Sequence, residues 1–150
     1  MKNAFLLFSL LLLATIFINA LEKPNADELA VNQAVEDYVE ALYLVDSNRI
    51  KQSVHPSLHK IGYYYNPKKE AYTGPHNMSY QQLVNLASTW NANGDQANEK
   101  SPKEIEILDL LDKTATAKLT AEWGVDYFHL AKMEDKWYIM NVLWQSPPKI

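Results

Sequence analysis

The chain has 150 residues, no cysteine and a formal net charge of −4, with 47 % hydrophobic and 21 % charged residues. This is the size of one domain that must fold on its hydrophobic core alone, because disulfides, thiolate zinc sites and a cysteine nucleophile are all excluded. The basic residues cluster no further than Lys68-Lys69, so the basic face that nucleic-acid binding needs is missing.

The N-terminus opens with Lys2, runs apolar from Ala4 to Ile18, and leaves through Asn19-Ala20 to Glu22, Lys23 and Pro24. A basic start, an apolar middle and a small residue at the exit form the pattern of a secretory signal peptide. The apolar run covers 15 residues, positions 4 to 18, short of the about 20 that a spanning helix needs. The expectation is cleavage after Ala20. It divides the chain into a signal peptide (1–20) and a single domain (21–150), secreted or periplasmic, with no membrane span after cleavage. Removing 20 of 150 residues leaves 130, and losing Lys2 takes the net charge from −4 to −5.

Residues Asn25 to Leu44 read as a helix capped by Asn25 or Asp27, with Val31, Val35, Tyr38, Leu42 and Val45 on one face. Ser47 to Val54 reads as a short second helix packed by Ile50 and Val54 and ended by His55-Pro56, since the residue before proline is pushed out of helical geometry. His59 to Tyr65 is strand-like, Asn66 to Lys69 is a turn, and Glu70 to Thr73 is a short return strand broken by Gly74-Pro75. Ser79 and Gln82 fit a capping box for a helix that runs to about Trp90, with Leu83, Leu86 and Trp90 on one side. Asn91 to Pro102 is a polar loop. Ile105 to Leu110 and Thr114 to Trp123 are strands, the second alternating cleanly with Ala115, Ala117, Leu119, Ala121 and Trp123 on one side. Helices followed by a run of antiparallel strands indicate an α+β domain.

The last two strands form a hairpin over Val125 to Gln145, turning at Glu134-Asp135. With regular pairing, His129 opposes Met140, Tyr127 opposes Val142 and Val125 opposes Trp144. The other face then carries Asp126, Phe128, Leu130, Trp137, Ile139, Asn141 and Leu143. A one-residue bulge would exchange part of these sets. Both faces are apolar either way, whereas an antiparallel sheet with one wet face alternates. One face therefore covers the core. The other is expected to meet a second copy of the chain in a homodimer through the sheet.

The segment AEWGVDYFHLAKMEDKWYIMNVLWQ resembles the closing strands of the Putative lumazine-binding family, within the nuclear transport factor 2-like (ketosteroid-isomerase-like) superfamily. VEDYVEALYLVDSNRIKQSVHPSLHK is similar to that family's opening helix pair, which ends in a His-Pro step, here His55-Pro56. The resemblance implies a conical α+β fold in which N-terminal helices pack on a strongly bent antiparallel sheet. It also implies a cavity at the open end and dimers formed through the sheet. No flavin or pterin motif accompanies it, and fold analogy alone fixes no activity.

The pocket expected from this fold is lined by His55, His59, Tyr63, Asp126, His129 and Trp144, as ligand-binding residues for a small, partly apolar molecule. Aromatic walls with a few orienting polar groups suit such a guest. No catalytic residue, metal or cofactor is assigned. Pro56 spoils the helical spacing that would let His55 and His59 share a metal. No Gly-x-Ser-x-Gly elbow is present. Two alternatives stay open. One is a small isomerase or dehydratase with Asp126 as general base and His129 or a tyrosine such as Tyr38 or Tyr63 as its partner. The other is a structural or protein-interaction domain whose cone is filled by its own side chains.

Overall fold

A computed structural model of the chain describes residues 25–147. The expected signal peptide at 1–20 lies outside them. Helix α1 (Ala26–Tyr43) and helix α2 (Ser47–Ser53) lead into strands β1 (Val54–Asn66) and β2 (Ala71–Met78). Helix α3 (Tyr80–Ala87) follows, and then β3 (Lys103–Leu110), β4 (Thr114–Ala121), β5 (Gly124–Met133) and β6 (Lys136–Gln145). The strands form one curved sheet in the order β2-β1-β6-β5-β4-β3, antiparallel throughout except for the parallel β1–β6 pair. This is the expected α+β architecture of helices laid on a bent sheet.

Asn25 caps α1 by accepting from the Asp27 amide at 3.0 Å. The helix buries Val31, Val35, Tyr38, Val39 and Leu42 against Phe128, Leu130, Trp137, Ile139 and Val142 of the hairpin. Tyr38 meets Phe128 edge-on at 5.1 Å between ring centroids. Val45 does not continue the helical face. It turns the chain with φ of 59°, and Asp46 then caps α2.

Strand β4 ends at Ala121 rather than Trp123 and β3 begins at Lys103 rather than Ile105, and three further boundaries differ from the sequence expectations for a local reason. Strand β1 begins at Val54 and carries His55-Pro56 inside it. The register with β6 jumps there from Val54↔Ile139 to His59↔Asn141, and such an irregular stretch tolerates a residue with no amide hydrogen. Strand β2 continues through Gly74-Pro75 to Met78 because it is an edge strand, where a proline interrupts no inner ladder. Helix α3 carries both arms of the Ser79–Gln82 capping box. It closes at Ala87 rather than Trp90, its last carbonyls taken up in turn-type bonds from Thr89 and Trp90 to Leu86.

The hairpin turns at Glu134-Asp135, both at positive φ, as a tight turn matched to strand twist requires. Its register carries the one-residue bulge. His129 pairs with Asn141 and Leu130 with Ile139, so Met140 has no partner. The expected His129–Met140, Tyr127–Val142 and Val125–Trp144 pairings are thereby replaced. Val142 and Trp144 move to the inner face beside Phe128 and Asp126, and Asn141 and Leu143 move to the outer face. The described helices cover the inner face. On the outer one Tyr127 and Leu143 remain 48 % and 47 % exposed.

Asp27 ties the start of α1 to the hairpin, accepting from Lys132 Nζ at 2.7 Å and from Trp137 Nε1 at 2.9 Å. The Lys132 bond first, and then the Trp137 bond, hold its carboxyl below the ordinary range. A depressed carboxyl pKa adds stability above the unfolded value and loses it as pH falls through the folded one. The stability gap between wild type and Asp27→Asn should therefore be full above about pH 4 and shrink below it. Urea midpoints across that range check this, and a gap independent of pH would refute it.

Candidate functional site

A cavity of about 490 Å³ opens between the inner sheet face, the second half of α1, α3 and the loop that follows it. Its walls are largely aromatic: Tyr38, Tyr64, Trp90, Trp123 and Trp144, with Leu42, Met78 and Leu86 between them. Trp90 stacks on Tyr43 at 6.0 Å and meets Trp123 edge-on at 5.2 Å. This cluster fixes the wall formed by the turn after α3 and the turn between β4 and β5. Asp95, Gln96 and Glu122 also line the cavity and are exposed.

The deep end is polar. Lys60 sits on the inner face of β1, aligned with Val142 of β6, and is only 5 % exposed. Its ammonium donates to Tyr38 Oη at 2.7 Å and to Asp126 Oδ1 at 3.2 Å. It also lies 5.5 Å from the ring centroid of Trp144, close enough for cation–π attraction. Asp126 is wholly buried, and its second oxygen accepts from Trp123 Nε1 at 2.6 Å. The result is one continuous chain, Tyr38–Lys60–Asp126–Trp123, spanning α1, β1 and the start of β5. Burial pushes the Lys60 pKa down against the pull of Asp126. Burial, and then the Asp126 charge, push the Tyr38 hydroxyl up. Both directions follow from desolvation disfavouring the charged form.

Trp144 pairs with Asp126 on one side and Gly62 on the other. A Cβ at position 62 would collide with the Trp144 ring and with its carbonyl oxygen, so glycine is what lets the indole lie against β1. Trp144 Nε1 is buried and has no hydrogen-bond partner among the described residues.

The six residues expected to line the pocket separate into two groups. Asp126 and Trp144 come together on the inner face, Trp144 in the cavity wall and Asp126 behind Lys60. His55, His59, Tyr63 and His129 lie on the outer side of the sheet and do not line the cavity. His59 is bonded to Asn141, and His55 to Ser57. Tyr63 stands opposite Gln145, and His129 opposite Asn141. Strand alternation is the reason: residues 59 and 63 share the face that Lys60 and Gly62 do not. Lys60 was not singled out from the sequence. The signal was there, a lone lysine on the strand face opposite Tyr63. Among the described residues no group of three or more His, Asp or Glu could hold a metal ion.

The model of the Putative lumazine-binding family matches residues 26–145. No curated protein matches the sequence. Among solved structures, the chain is similar to an NTF2-like protein of unknown function from Shewanella baltica OS155, at 17 % identity, 86 % coverage of this chain, 100 % of that one and a TM-score of 0.59. It is also similar to an NTF2-like protein of unknown function from Methylobacillus flagellatus KT, at 20 % identity, 84 % and 97 % coverage and a TM-score of 0.58. A third is a ketosteroid isomerase-like protein from Erwinia carotovora atroseptica SCRI1043, at 14 % identity, 83 % and 99 % coverage and a TM-score of 0.56. At these identities the likeness is one of fold.

Proposed function

The chain belongs to the Putative lumazine-binding family of NTF2-like domains, and on that premise we propose that it binds a small, partly apolar molecule without turning it over. The observation that carries this reading is the buried Lys60–Asp126 pair at the deep end of an aromatic cavity. A domain that needed only a filled core would do as well or better with apolar residues there, because a buried ion pair seldom adds net stability. The cavity of about 490 Å³ is within the range of small-molecule sites, and its mix of aromatic walls and few polar groups is theirs.

Asp126 is desolvated and close to a tyrosine, as an enzyme with an aspartate base would need. But Lys60 stands between it and Tyr38, and Lys60 and Trp123 each occupy one carboxylate oxygen. His129 lies on the other face of the sheet. The geometry supports a held charge pair better than a free base.

The test uses Nile red, a neutral planar dye. Saturable binding with energy transfer from tryptophan is expected, since Trp90, Trp123 and Trp144 line the cavity. Leu86→Trp, which fills the cavity from α3, should abolish it while leaving the circular dichroism spectrum intact. Dye binding that survives this substitution, or no saturable binding to the wild type, would sink the reading.

The proposal includes a homodimer through the outer sheet face. Tyr63, Tyr127, Met133 and Leu143 are exposed there, on a face that none of the described helices covers. Sedimentation at micromolar concentration should give twice the chain mass, and Leu143→Lys with Tyr127→Lys should halve it. A wild type that sediments as a monomer removes this part. It also includes export to the periplasm or the exterior, supported by the N-terminal pattern. The exported protein should begin at Leu21, and retention of the intact N-terminus in the cytoplasm would contradict it.

A further inference from the structure

The mouth of the aromatic cavity differs in charge from its deep end. At depth the one lining cation, Lys60, is matched by Asp126 at 3.2 Å, so that pair carries no net charge. At the mouth Asp95 and Glu122 line the cavity and are exposed. Among the described residues neither of them forms an ion pair. Asp95 accepts only from the neutral Gln96 side chain, at 3.2 Å.

Tyr43 fastens both rim residues from behind. Its hydroxyl accepts from the Glu122 amide at 2.8 Å, and its carbonyl accepts from the Asn91 side chain at 2.8 Å. Asn91 in turn accepts from the Gln96 amide at 3.0 Å, which holds the loop that carries Asp95. The Tyr43 ring stacks on Trp90 at 6.0 Å and meets Trp123 edge-on at 5.7 Å. The two acidic residues therefore share one side of the cavity with two indoles, and both indoles line it.

That combination discriminates by charge. Indole faces attract a cation, and carboxylates with no cation of their own add to the attraction. An anion at the mouth meets two like charges and no free cation. A neutral group gains from neither feature. The deep end repels a second cation through Lys60, so an amphipathic cation enters with its apolar body inward, toward Tyr38 and Trp144, and its charge outward.

Resting on the ligand-binding reading, we propose that the cavity selects organic cations, an ammonium joined to an aromatic or other apolar body, with the ammonium held at the mouth by Asp95 and Glu122 beside Trp90 and Trp123.

Three probes with one ring system test the choice: 2-(aminomethyl)naphthalene, 2-naphthylmethanol and 2-naphthoate, each titrated at neutral pH as a displacer of Nile red from the full chain. The amine should displace the dye at about tenfold lower concentration than the alcohol, the combined worth of exposed charge pairs and a cation–π contact. The carboxylate should be the weakest of the three. Asp95→Asn with Glu122→Gln alters only exposed side chains, and it should bring the amine within about twofold of the alcohol while leaving the alcohol unchanged. Glu104→Gln with Glu106→Gln makes the same change in net charge on exposed residues of β3 outside the cavity, and the amine's advantage should persist there. Equal displacement by amine and alcohol overturns the proposal while leaving the cavity a binding site. Tightest displacement by the carboxylate overturns it in favour of an anion. An advantage that survives the Asp95 and Glu122 changes, or that falls equally with the β3 changes, overturns the assignment to these two carboxylates. Failure of the dye itself to bind removes the ligand-binding reading and this inference with it.

Discussion

Lys60→Met should lower the free energy of unfolding by about 3–5 kcal/mol at neutral pH, the usual cost of stripping one partner from a buried charge pair. Lys60 and Asp126 are both buried, with side-chain exposures of 6 % and 0 %, so solvent does little to screen the loss. The substitution leaves the Asp126 carboxylate with Trp123 Nε1 as its one hydrogen-bond donor and leaves Tyr38 Oη without the ammonium that bonds it. Methionine fills most of the lysine's volume, so the effect is one of charge rather than of a cavity. Adding Asp126→Asn should recover much of the loss, because the double variant buries no net charge, and each single variant should be less stable than the pair changed together. Urea unfolding of the four proteins in the cycle measures this coupling. A Lys60→Met variant within about 1 kcal/mol of wild type would mean that the pair is not held as charged groups.

Gly62→Ala is the second large effect. The added methyl meets both the Trp144 ring and the Trp144 carbonyl oxygen. A rotamer change could clear the ring, but the carbonyl belongs to the β1–β6 ladder and moves only with the strand. Overpacking of this kind typically costs about 1–3 kcal/mol. Because Trp144 is part of the cavity wall, the variant should also shift tryptophan emission and weaken Nile red binding. Unfolding curves and dye titration together test this. A variant with wild-type stability and wild-type dye affinity would show that the indole does not lie against β1.

The fold was largely legible because its strongest signals are local and periodic. The spacing of Val31, Val35, Tyr38 and Leu42, the Ser79–Gln82 box and the alternation from Ala115 to Ala121 all report on elements that packing then reinforces. The site was legible only in part. Asp126 and Trp144 were both expected in the pocket. Regular pairing put them on opposite faces, and one unpaired residue, Met140, brought them together. A bulge reverses every side chain beyond it, and nothing in the sequence around Met140 marks it. The same parity rule carried His59 and Tyr63 to the outer face and Lys60 to the inner one. Lys60 was missed because a lysine in a strand is by default a solvated residue. Its burial depends on Tyr38 and Asp126, 22 and 66 residues away in the chain, and only the fold unites them. The short return strand at Glu70 was extended through Gly74-Pro75 for a related reason. Whether proline ends a strand depends on which edge of the sheet it occupies.

The most direct measurement is native mass spectrometry of the protein purified from its own host, compared with the Leu86→Trp variant prepared in the same way. The expected result is a dimer of the mature chain that carries a non-covalent small molecule, released on denaturation and missing from the variant. Wild-type protein with no added mass, or an added mass that the cavity-filling variant retains, would contradict the claim that this cavity is a binding site.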